Sequence, residues 1–336
     1  MLSVRSLLLA VGPLVLISGS YALTYTHSDA EQRQHLARLA SLEEVRQEQR
    51  QASAQELAAE CERLAERVPA MVGLPQIGLL SRPPFLLAST LSASEMERVH
   101  RDVLRPLSEA LWRSYFDRRP TSPLLIILLQ DEVTFRQVAR TLDGYDPASY
   151  DGYYQRQKQH LVLNLSRGEG TLAHELCHAL AQVDFPQLPE WFDEGLAALH
   201  EATVFSQDGL LLFGRPNWRC QLLVESLDQA DFPQLEQIAR AKSFRGRQEG
   251  VRYAYVRAFC RYLQDKGMLS HFYRKFRDQP QLDPSGLKTL CELLAQPSAK
   301  AIDADFHRWL LTDGLPEKST ADARTPVSQT VRAQRR

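Results

Sequence analysis

Thr171-Leu172-Ala173-His174-Glu175-Leu176-Cys177-His178-Ala179-Leu180 is the stretch around which the chain organises itself. Residues four apart on a helix share one face, one turn above each other. His174 and His178 therefore point the same way, and their imidazoles can share one metal ion. Glu175 follows His174 by one position, about 100° further round the helix. It is turned off the ligand face, yet it can reach a water beside the ion. Two imidazoles, an open position and a carboxylate placed to take a proton are the parts of a hydrolytic metal site.

Such a site needs a third protein ligand. Glu194 stands sixteen residues after His178, in Leu188-Pro189-Glu190-Trp191-Phe192-Asp193-Glu194-Gly195-Leu196-Ala197. Pro186 and Pro189 end the first helix and seed a second one, which can fold back on the first. A bare H-E-x-x-H arises by chance in roughly one chain in a hundred of this size. A helix-borne glutamate at this distance makes chance a poor explanation. Cys177, between the histidines, is read as core packing and not as a ligand.

The two motifs together resemble those of the gluzincin metallopeptidases, most closely the loosely defined peptidase MA-like proteins of bacteria. Asp193-Glu194-Gly195-Leu196-Ala197 matches that group's second motif. The resemblance implies a Zn²⁺ cofactor held by His174, His178 and Glu194, Glu175 as general base, and a peptide or protein substrate. It also implies that a tyrosine near the start of a later helix faces the metal. Tyr253 matches that place, with Tyr255 as runner-up, and its phenol would donate to the oxyanion. The strand His160–Leu165 would offer an exposed edge to an extended peptide; the plain alternative is an interior strand. One departure stands out. Thermolysin-like members carry an aspartate four residues after the ligand glutamate, where this chain has Ala198, so support for the metal histidines falls to Asp193 or Glu201.

Composition sets the outer bounds. A chain of 336 residues suits one large domain or two small ones. A formal net charge of −1 gives no electrostatic case for nucleic acid. The five cysteines lack C-x-x-C spacing, so neither a cysteine-rich metal module nor a dense disulfide framework is expected. A Cys220–Cys260 bridge would be the only pairing to look for.

The rest of the chain reads outward from the motifs. Residues 1–25 carry Arg5 and then an uncharged apolar run from Leu7 to Leu23, with Asp29 and Glu31 following. This layout predicts a signal peptide or membrane anchor, with the remainder outside the cytoplasm. Residues 26–69 are rich in Glu, Gln, Arg and Ala and predict a helical stalk, with Leu57, Cys61, Leu64 and Val68 as an apolar stripe. Pro69 and residues 73–84 read as a linker leading into a metallopeptidase domain over residues 70–315. Within it, Phe85–Ala88, Pro123–Leu129 and His160–Leu165 predict strands. Ser94 with Glu97 predicts a capping box opening a helix that runs to about Phe116 with a kink at Pro106. Glu132–Leu142 and Arg252–Lys266 predict helices, residues 144–152 a loop, and Leu210–Phe213 a strand. Residues 316–336 predict a disordered tail.

The expected fold is α+β: a small sheet before the H-E-x-x-H helix and a mostly helical lobe after it. The expected function is zinc-dependent peptide-bond hydrolysis at a membrane or after export. The rival from another class is a non-catalytic, zinc-stabilised scaffold tethered to the membrane. The presence of Glu175, for which metal binding alone has no use, weighs against the rival.

Overall fold

Leu124-Leu125-Ile126-Ile127-Leu128-Leu129 is apolar at every position, a pattern that suits a strand covered on both faces. The computed structural model describes residues 47–314 apart from 148–149, 169, 230–231 and 244–247, and it buries all six of these side chains. The anchor, the first part of the stalk and the tail expected from the sequence lie outside the described residues. Among the described residues no helix is long and apolar enough to cross a membrane. The chain divides into a unit ending at Glu56 and a unit beginning at Leu57. Residues 47–56 of the first are helical and exposed.

The second unit is α+β. It opens with a helix over residues 57–72 (α1). Five strands follow, interleaved with helices: Gly78–Arg82 (β1), Phe85–Ser89 (β2), Leu124–Leu129 (β3), Gly152–Gln155 (β4) and His160–Asn164 (β5). Their order in the sheet is β1-β2-β3-β5-β4, with β2, β3 and β5 parallel and the two outer strands antiparallel. Ala93–Val99 (α2), a π turn at His100–Leu104 and Arg105–Ser114 (α3) connect β2 to β3. Glu132–Asp143 (α4) leads from β3 towards β4.

Alternation along the strands builds two cores. Leu86, Ala88, Leu125, Ile127 and Val162 face Val68, Val72, Phe135 and Val138 of α1 and α4. Leu87, Ile126, Leu128, Leu161 and Leu163 face the larger core, which includes Leu107 and Leu111 of α3 and Leu172 and Leu176 beyond the sheet. Of the stripe Leu57-Cys61-Leu64-Val68, read as stalk, Leu64 and Val68 thus belong to the sheet's own packing. Burial of Val68 and Val72 carries the helix past Pro69, and part of the stretch read as linker pairs as β1. The capping box of α2 is Ser92 with Glu95, two residues before the predicted one: extended Ser92 accepts from the Glu95 N–H, and Glu95 reaches back to the Ser92 N–H.

After β5 come Gly170–Asp184 (α5) and Glu190–His200 (α6), a hairpin of Thr203–Phe205 (β6) and Leu212–Gly214 (β7), then Trp218–Glu225 (α7) and Leu235–Arg240 (α8). Glu249–Asp265 (α9), Leu269–Arg277 (α10), Leu287–Leu293 (α11) and Ala299–Thr312 (α12) complete the helical lobe. The end of α5 is pinned by buried Asp184, which accepts from the main-chain N–H groups of Asp117 and Arg118, from Tyr273 and from Arg277.

Gly195 lets α9 lie against α6. A Cβ there would meet Cys260 Sγ and the Val256 carbonyl oxygen, each at 2.8 Å. Gly195→Ala overfills this contact and is expected to cost about 1–3 kcal/mol, as core overpacking does. Chemical denaturation of the two proteins measures it, and an unchanged midpoint would mean the helices have room to part.

Candidate metal centre

Helix α5 brings His174 and His178 together as the spacing requires. Their Nε2 atoms lie 3.0 Å apart. Glu194 arrives on α6, with Oε2 3.6 Å from each of those two nitrogens. These three are the only group of metal-ligating side chains with convergent donor atoms found among the described residues. A triangle with these sides has a circumradius of about 2.0 Å, close to the 2.0–2.2 Å typical of zinc bonds to nitrogen and oxygen. Two imidazole nitrogens this close repel unless a cation or proton sits between them. The donor set, its spacing and its near-burial therefore fit a zinc ion.

Each histidine turns its other nitrogen to a carboxylate. His174 Nδ1 lies 3.0 Å from Glu201 Oε1, and His178 Nδ1 lies 2.9 Å from Asp193 Oδ1. Both are close ion-pair contacts and not hydrogen bonds, and they keep Nε2 turned to the ligand side. Asp193 and Glu201 are the two residues to which support falls once Ala198 replaces the thermolysin-like aspartate. The Ala198 carbonyl instead accepts from Arg257 Nε at 3.0 Å.

Electrostatics follow the geometry. Burial alone would raise Glu201, but its close contact with His174 and the charges of His174, Arg219 and Arg257 outweigh it and hold the carboxyl at about 2. Burial disfavours a charged His178, yet Asp193 and Glu194 more than offset it and lift the imidazole well above its ordinary value. Burial likewise works against an ionised Glu194, and His178 and His174 keep it below the usual carboxylate range.

Glu175 is not one of the three convergent donors and is nearly buried. Burial pushes its pKa up. His174, His178 and the main-chain N–H of Tyr154 pull it back only in part. That N–H marks the free edge of the sheet. Asp151 turns its carbonyl to β5, where it accepts from Asn164, so alternation sends the main-chain groups of Tyr154 outward. The expectation that β5 itself offers the open edge is corrected here: β3 and β4 cover both its sides, and β4 is the edge strand. Gly152 lets β4 approach α5, since a Cβ would meet Thr171 Cγ2 at 2.7 Å.

The remaining sequence candidates separate. Tyr253 is half-buried near the start of α9, one turn before Val256, whose carbonyl lies against Gly195 beside Glu194. Tyr255, the runner-up, is fully buried and donates its hydroxyl to Asp303, so that hydroxyl does not face the metal ligands. Cys177 is fully buried, and burial drives its thiol far up. All five cysteines are free; Cys220 accepts from Arg257 instead of pairing with Cys260.

Comparison with models of known protein families gives no match, and a search of curated protein sequences gives none either.

Proposed function

We propose that the chain is a zinc-dependent metallopeptidase. The reading rests on one observation above all. His174, His178 and Glu194 turn three donor atoms to one point, while Glu175 lies beside them against a sheet edge and contributes no ligand. Metal binding alone gives no reason to bury a further carboxyl there.

His174, His178 and Glu194 hold the ion. When bound, zinc polarises the scissile carbonyl and makes a neighbouring water more acidic. Glu175 takes a proton from the attacking water and passes it to the leaving amine. A carboxyl raised by burial is a stronger base, which suits this task. Tyr253 is proposed to donate to the oxyanion. The outward main-chain carbonyl of Tyr154, whose N–H is taken by Glu175, offers an extended peptide a partner that is indifferent to its side chains. Residues 1–25 are proposed to export or anchor the enzyme, which puts the catalytic unit outside the cytoplasm.

Cleavage of a peptide mixture by the wild-type chain and by Glu175→Gln tests the reading. New termini produced only by the wild type support a peptidase. Zinc uptake with no difference in cleavage between the two points to the tethered scaffold.

A further inference from the structure

The two carboxylates that face the histidines are themselves held, and in the same way. Asp193 presents Oδ1 to His178 and Oδ2 to the guanidinium of Arg156. Glu201 presents Oε1 to His174 and Oε2 to the guanidinium of Arg219. Each carboxylate thus spends one oxygen on a ring and the other on an arginine. The arginines come from different elements. Arg156 follows the edge strand β4 on the sheet side, and its second nitrogen donates to Gln182 of α5 at 3.0 Å. Arg219 lies in the first turn of α7, beyond the β6–β7 hairpin, with Trp218 stacked 4.8 Å from its guanidinium.

We infer that Arg156 and Arg219 are positioning residues of the metal centre, each fixing one histidine ring through its carboxylate. This rests on the zinc reading above and adds that two separate arms, one from the sheet and one from the helical lobe, set the ligand geometry. A carboxylate that keeps its arginine can rotate little, so the imidazole it faces holds Nε2 on the ion. Without the arginine, Asp193 is left almost wholly buried with its second oxygen unpaired, and it is free to swing away. The simpler account treats both contacts as surface ion pairs. Arg156 is half exposed, and exposed pairs contribute little to stability. That account therefore predicts no change at the metal.

Zinc affinity of the full-length chain, read by competition with a chromophoric chelator, separates the two. Arg219→Ala and Arg156→Ala should each weaken zinc binding by about 10- to 100-fold, the range for outer partners of a metal histidine. The effects should not add within an arm: Arg219→Ala with Glu201→Gln should bind no more weakly than Glu201→Gln alone. Between arms, the losses of Arg156→Ala and Arg219→Ala should multiply. Circular dichroism checks folding, and Arg219→Gln and Arg156→Gln repeat the test if an alanine variant does not fold. Wild-type affinity in both arginine variants overturns the inference. So do losses that multiply between an arginine and its own carboxylate. A wild-type chain that takes up no zinc removes the metal centre and this inference together, whereas a zinc-binding wild type matched by Arg219→Ala and Arg156→Ala removes the inference alone.

Discussion

Glu175→Gln is expected to keep zinc and to lose at least about a hundredfold in turnover, the usual contribution of a positioned acid–base group. The substitution is nearly isosteric. The amide oxygen still accepts from the Tyr154 N–H, so the contact between α5 and the edge strand survives. What disappears is a basic oxygen. Glu175 is one position along from His174 and takes no part in the convergence of His174, His178 and Glu194, so the ion keeps all three ligands. Metal content and turnover measured on the same preparation check this. Full activity in the variant would remove the role of Glu175, and loss of zinc would mean that it serves as a ligand.

Glu194→Ala should fail in the opposite manner, losing metal and turnover together. Its carboxylate is the only anionic donor among the three, and it is held ionised by the two histidines it faces. Removing it leaves two neutral imidazoles 3.0 Å apart and no anionic ligand for a dication. The fall in zinc affinity should exceed the about 10- to 100-fold lost with an outer-shell partner. Competition titration beside Glu175→Gln measures the difference. If the two variants hold zinc equally well, ligand and base have been wrongly assigned.

The residues that could be placed from sequence are those whose neighbours are local or punctuated. His174 and His178 are fixed by helical spacing alone. Glu194 follows because Pro186 and Pro189 stop one helix and start the next. The buried strands β3 and β5 show as apolar runs. Strand β4 did not show: Gly152-Tyr153-Tyr154-Gln155 sits among Tyr, Asp and Pro residues that look like loop, and the turn after it is wholly polar. That turn reverses with Gln159 at a φ of 53°, a conformation for which glycine is the usual signal. Missing β4 misplaced the open edge by one strand.

The supports of the histidines were legible only in half. Asp193 and Glu201 could be named because Asp193 opens the second motif and Glu201 caps the helix that carries it. Their arginines could not. Arg156 depends on the unread hairpin. Arg219 reaches Glu201 only because β6 and β7 turn the chain back beside the end of α6. Tyr253 and Tyr255 illustrate a further limit. Two positions on a helix differ by about 200°, and only the neighbours decide which side faces inward. Asp303, 48 residues beyond Tyr255, settles that residue's place.

Whether the chain holds one zinc ion is tested most directly by metal stoichiometry. Full-length protein, stripped with chelator, reloaded with excess zinc and desalted, should retain about one zinc per chain by elemental analysis, as a three-ligand site implies. The His174→Ala, His178→Ala double variant treated alongside should retain almost none. Zinc absent from the wild type, or retained equally by the double variant, would contradict the account.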